Sequence, residues 1–87
     1  MINQFEYDVL CNWRRAGYRW IARDKINGLS LHREKPKNVN GYWQSDKFGN
    51  FYIGKFEEFV MIKKSESPTK ILDLIHDYEK HLIVKGE

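Results

Sequence analysis

The 87-residue chain has a single cysteine, Cys11, and only two prolines. A lone cysteine cannot close an internal disulfide, and small secreted domains usually carry several, so cysteine usage points to a reducing, cytoplasmic setting. Long apolar runs are missing: none approaches the ~20 residues that cross a bilayer. No basic stretch leads into an apolar one, so neither a membrane partner nor a secretory signal is expected. The six glycines are scattered at turns rather than clustered ahead of a helix, which argues against a phosphate cradle. Metal-binding spacings such as Cys-x-x-Cys are absent, and His76 and His81 lie five apart on a helical segment, pointing in different directions, so no metal is expected. Cys11 as a nucleophile needs a nearby base, and His32, His76 and His81 qualify by residue type alone. Asp73 and Asp77 form a helical pair that suits the solvent face, and a glycosidase needs a deeper cleft than so short a chain readily builds. The expectation is a protein that is not an enzyme and carries no cofactor.

What the chain does have is aromatic residues, thirteen of them, many set in short alternating segments between turn residues. With 41% hydrophobic and 31% charged residues, the composition is that of a folded protein, and the length suits one domain over 1–87. Residues 3–16 read as an amphipathic helix with Ile2, Phe5, Val9, Trp13 and Ala16 on its apolar face and Tyr7, Cys11 and Arg14 opposite. Asn3 and Glu6 have capping-box spacing, and Gly17 suits the left-handed position after the helix. Strands are expected over 18–24, 29–34, 41–45, 51–53 and 58–63, with Asn27-Gly28 marking a hairpin, 35–41 a surface loop and 46–50 a turn. Alternation puts Tyr18, Trp20 and Ala22 on one face of the first strand and Arg19, Ile21 and Arg23 on the other, with Leu29 and Leu31 of the second strand inward. Ser67-Pro68 reads as an N-cap and first helical residue of a helix over 68–83, striped by Ile71, Leu74, Ile75, Tyr78 and Leu82. The expected class is α+β: an N-terminal helix, a mainly antiparallel sheet of about five strands and a C-terminal helix, both helices on one sheet face. Trp20 and Trp43 are expected to be mostly buried in the core.

Charge is uneven. Residues 14–37 hold eight Lys/Arg against two acids, a local excess of six, although the whole chain carries only +3. Such a field favours anionic partners. If Arg19 and Arg23 face water and the hairpin brings Arg33 beside them, the three guanidiniums form one patch, rimmed by Lys35 and Lys37 and flanked by Tyr42. On that expectation, replacing Arg19, Arg23 and Arg33 with Glu abolishes binding and spares the fold. Interleaved aromatic and basic residues also resemble the sheets on which nucleic-acid bases stack, with Tyr18, Trp20, Tyr42 and Trp43 as the platform. The competing role of these aromatics is the core itself.

The segments Tyr18-x-Trp20-Ile21-Ala22-Arg23-Asp24, Gly28-Leu29, Glu34-Lys35-Pro36, Gly41-Tyr42-Trp43 and Ser67-Pro68-Thr69-Lys70-Ile71-x-Asp73-Leu74-Ile75 resemble a pattern in small accessory proteins of phages and prophages of Gram-positive bacteria. The resemblance covers residues 18–76, and its motifs are structural. That group has no assigned activity, so no catalytic residue carries over. It implies a non-catalytic protein, working in the host cytoplasm, that binds a host protein or protein–nucleic-acid complex as a host-takeover or anti-defence inhibitor. The candidate contact residues are Arg19, Arg23, Arg33, Lys35, Lys37 and Tyr42. The alternative is a module that binds nucleic acid directly through the same basic, aromatic surface.

Overall fold

A computed structural model describes residues 2–45, 50–55, 57–62 and 67–85. The element order is helix α1 (Gln4–Arg15), strands β1 (Trp20–Arg23), β2 (Gly28–His32), β3 (Lys37–Val39), β4 (Tyr42–Gln44), β5 (Asn50–Lys55) and β6 (Thr69–Lys70), and helix α2 (Ile71–Lys85). This is an α+β fold with six strands rather than about five, and every described pairing is antiparallel.

Helix α1 begins and ends as its sequence dictates. The Asn3 side chain accepts from the Glu6 N–H at 2.8 Å, and Glu6 Oε1 accepts from the Asn3 N–H at 2.9 Å. Both orphan donors of the first turn are thus satisfied reciprocally. At the other end Gly17 adopts φ +103°, its N–H donating to Arg14 O and the Tyr18 N–H to Trp13 O. This pair of bonds is a Schellman closure, which needs the left-handed conformation that glycine tolerates best. The buried stripe differs from expectation. Leu10 and Glu6 are buried while Phe5 is 56% exposed, and Tyr7 and Cys11 pack against the core. The apolar arc is turned because α1 has two partners, the sheet and α2. Tyr7 lies 4.7 Å from Tyr78 between ring centroids and donates to Glu79 at 2.7 Å, while the Tyr78 hydroxyl donates to Gln4 at 2.7 Å.

The main sheet has the order β5-β2-β1-β6, and β3-β4 form a separate hairpin. Register pairs Ile21 with Leu31 and Arg23 with Leu29. The face bearing Ile21, Leu29 and Leu31 therefore shares one core with Leu10 of α1 and Ile71, Ile75 and Tyr78 of α2. This inverts the expectation for β1. Because Leu29 and Leu31 are inward, their cross-strand partners Arg23 and Ile21 are inward too, and Trp20 and Ala22 lie on the opposite face.

That opposite face is covered over β1 and β2, while Tyr52 of β5 stays about half exposed. The segment 35–41, expected as a surface loop, contains β3 and a two-residue turn, Asn40-Gly41, with φ +55° and +90°. Asn-Gly is the preferred pair for such a hairpin turn because both positions need positive φ. The hairpin is fastened down by Trp43, whose indole N–H donates to Arg23 O at 3.1 Å and whose backbone N–H donates to Asp24 Oδ1 at 2.8 Å. The Lys25 N–H adds a bond to Gly41 O at 2.9 Å. With helices on one face and a hairpin on the other, every residue of β2 is buried. Trp20 and Trp43 are half-buried on this second face, not under the helices.

The expected strand over 58–63 is instead a turn through Glu58–Ile62, residue 63 lying outside the described residues. Phe59 and Ile62 are buried three apart, and Val60 between them is 77% exposed. This is the period of a turn, and a continuous apolar run cannot be assigned by alternation. Ser67 and Pro68 precede β6 rather than capping α2, which starts at Ile71 after Thr69 and Lys70 pair with Ile21 and Trp20. The expected turn over 46–50 falls mainly outside the described residues, and Asn50 already belongs to β5.

Candidate functional site: a basic, aromatic cleft

The sequence-expected patch does not assemble as a unit. Arg23 is buried, 5% exposed, and its guanidinium donates to four backbone carbonyls: Ile62 at 2.6 Å, Glu58 at 2.8 Å, Asn27 at 3.1 Å and Phe59 at 3.2 Å. Burial lowers its pKa from the ordinary value, but arginine has no accessible neutral form in proteins, so it remains a charged clamp. Its work is to hold the 58–62 turn to β1 from inside. Arg33 is exposed, yet it too has a structural task. Its Nη1 donates to Ala16 O at 2.7 Å, satisfying a carbonyl at the end of α1, and its guanidinium lies 4.6 Å from the Tyr18 ring centroid. Lys37 is exposed on β3. Tyr42, on β4, has the Lys25 ammonium 5.1 Å over its ring.

Arg19 and Lys35 sit elsewhere, around Trp20. A cleft of about 580 Å³ opens where α1 ends, β1 begins and α2 starts. Its cations are Arg14 from the last turn of α1, Arg19 from the α1–β1 link and Lys70 from β6. Its walls are Tyr18, Trp20 and Leu72, with Gly17 at the rim. The Lys70 ammonium lies 5.7 Å and that of Lys35 5.6 Å from the Trp20 ring centroid. Trp20 thus gathers two lysines by cation–π attraction, which is worth about 0.5–1 kcal/mol each at exposed sites. Among the lining residues there is no carboxylate, and Arg14, Arg19 and Lys70 are all solvent-exposed. Three like charges are tolerated here because water screens them, and together they offer an anion a positive field with no acid among the lining residues.

The strands explain why these groups meet. The Arg19 N–H donates to His32 O and the Ile71 N–H donates to Arg19 O, both at 2.9 Å. The backbone of Arg19 is therefore pinned between β2 and the start of α2, while its side chain projects to solvent. Arg14 and Lys70 were not among the residues singled out in the sequence. Arg14 reads there as the polar face of a helix, and Lys70 as part of a helix start.

Other titratable groups are locked in structural roles. His32 is fully buried between Ser30 Oγ, 2.8 Å from Nε2, and Ser45 Oγ, 2.7 Å from Nδ1. In the neutral ring one nitrogen donates to a serine hydroxyl and the other accepts from the second, a fully satisfied arrangement. Burial pushes the pKa of His32 down to about 4. The unfolded chain then takes up a proton near pH 6.5 while the folded chain resists until about pH 4, so stability falls as pH drops through that window. The expected loss is about 3 kcal/mol, each pKa unit being worth about 1.4 kcal/mol. Urea midpoints of wild type and His32→Gln, compared across this range, should show a steeper acid slope in wild type. Equal slopes would rule His32 out. Asp24 is raised by burial, partly offset by the Trp43 N–H, and Tyr7 is raised first by its bond to Glu79 and then by burial. Cys11 is half-buried against the core, and among the described residues no cluster of metal-ligating side chains occurs.

No protein-family model matches the chain, and no similar protein was found among curated sequences or solved structures.

Proposed function

We infer that the chain is a non-catalytic binding protein of the phage accessory type, acting in the host cytoplasm by occupying an anionic surface of a host protein or protein–nucleic-acid complex. The observation that carries this reading is the cluster of Arg14, Arg19 and Lys70 around an open cleft without a lining acid. Lys35 extends the positive surface across Trp20, and Lys37 and Tyr42 on the hairpin are exposed for further contacts. The two lysines held over Trp20 lose less side-chain entropy on binding than free ones, which favours affinity. Base stacking across the sheet has less support. Helices and the hairpin cover most of both sheet faces, and Trp43 is tied to Arg23 and Asp24. Phe51 and Tyr52 of the edge strand β5 stay about half exposed on opposite faces, too far apart in direction to form one platform.

The test is a pull-down from a Gram-positive host lysate, with and without nuclease, using wild type and Arg14→Glu/Arg19→Glu/Lys70→Glu. These exposed sites should each shift stability by about 1 kcal/mol or less, counting the lost cation–π contact of Lys70 and the charge reversal at the end of α1. Capture should be lost in the variant and should weaken with added salt in wild type. A folded variant that captures the same partner equally well would remove the cleft from this role.

A further inference from the structure

The size and lining of the cleft point to a ligand class. Its volume of about 580 Å³ lies within the roughly 300–1,000 Å³ of small-molecule sites. One end is cationic, through Arg14, Arg19 and Lys70, and the wall beside it is aromatic, through Tyr18 and Trp20. We propose that the cleft binds a terminal phosphomonoester of a nucleoside, with the phosphate among Arg14, Arg19 and Lys70 and the nucleoside along the Tyr18–Trp20 wall. This rests on the same reading of the cleft as the contact surface of the protein.

One feature favours this group over a carboxylate, its charge, and two more suit any oxyanion. A phosphomonoester carries about −1.5 to −2 charge near neutral pH, which answers a triple cation better than a single negative charge does. The planar forks of two guanidiniums match phosphate oxygens in paired hydrogen bonds. The end of α1, whose free carbonyls would repel an anion, is covered: Arg33 Nη1 bonds Ala16 O at 2.7 Å and occupies the space a side chain at Gly17 would need. Lys70 has three donors, so it can hold its place over Trp20 and still donate to a phosphate.

The nucleoside phosphate can be a free mononucleotide or the phosphorylated end of a strand. The experiment titrates the full chain with adenosine monophosphate, adenosine, and a short single-stranded oligonucleotide with and without a terminal phosphate. The Trp20 indole N–H signal is followed by NMR and assigned with Trp20→Phe. Adenosine monophosphate should give a saturable shift, and adenosine should bind at least about tenfold more weakly once the charge-assisted bonds are absent. Arg14→Gln/Arg19→Gln, with an unchanged melting temperature, should weaken the nucleotide by about tenfold or more. Preference for the phosphorylated oligonucleotide over both its unphosphorylated form and the mononucleotide identifies a strand end. Preference for the mononucleotide identifies a free ligand. Equal binding of adenosine and its monophosphate, no shift with the monophosphate, or undiminished binding by the double variant would each overturn the assignment. Charge-dependent partner capture without nucleotide binding overturns the ligand alone. Nucleotide binding with charge-independent capture overturns the partner reading alone.

Discussion

Arg23→Met should cost about 3–5 kcal/mol, the loss typical of breaking a buried charged network, and leave a much weakened domain. A domain of this kind has only about 5–10 kcal/mol in total. The reason is local. Four carbonyls, those of Asn27, Glu58, Phe59 and Ile62, accept from this one guanidinium. Methionine matches the length of the stem but leaves these acceptors without their donor in a buried site, at about 1–3 kcal/mol for each that water cannot reach. Arg23→Lys should recover little, because a point charge cannot serve carbonyls arranged around a planar fork. Arg23→Glu is worse still, setting a carboxylate among carbonyl oxygens. The triple replacement of Arg19, Arg23 and Arg33 is therefore not a clean probe of binding, contrary to the sequence expectation. Urea unfolding followed by circular dichroism is the measurement, and an unfolding free energy for Arg23→Met within about 1 kcal/mol of wild type would refute the clamp.

The second large effect lies on the other side of the same turn. Phe59→Ala should cost about 3–5 kcal/mol, the usual range for deleting a fully buried phenyl ring. Phe59 is fully buried, packs 5.7 Å from Trp13 between ring centroids, and holds φ +59°, a left-handed conformation that is strained for an aromatic residue. What keeps it there is its backbone: the N–H donates to Glu6 Oε2 and the carbonyl accepts from Arg23. Glu6 thus caps α1 with one oxygen and fastens the turn with the other. Val60→Asp, at an exposed site, should change stability by no more than about 0.5 kcal/mol. Ile62→Asp should be as damaging as Phe59→Ala, since it buries an unpaired carboxylate. In a strand, Val60 and Ile62 would share a face and respond alike, so similar outcomes at these two positions would restore the strand reading.

Arg23 and the 58–62 turn depend on distant contacts, whereas local contacts were legible in the sequence. The span of α1, its Asn3–Glu6 box and the Gly17 closure depend on contacts within a few residues, so local pattern determined them. The β1–β2 hairpin at Asn27-Gly28 and the buried stripe of Ile71, Ile75 and Tyr78 were legible for the same reason. The α+β class and its antiparallel pairing followed from element order. Tertiary structure decided the rest. Which face of β1 turns inward depends on its register with Leu29 and Leu31, and alternation alone leaves both faces available. An arginine in a strand reads as a solvent residue until a distant turn supplies carbonyls for it to bind, as Glu58–Ile62 does for Arg23. In the second covering layer β4 falls inside the strand expected over 41–45. Its partner β3 has only three residues, all exposed, too short for a periodic signal, and the bonds by which Trp43 holds the hairpin down are long-range. The cleft was least legible of all. Arg14, Arg19 and Lys70 come from a helix end, a link and a two-residue strand, and only the pairing of β1 with β6 and the closure of α1 bring their charges to one place.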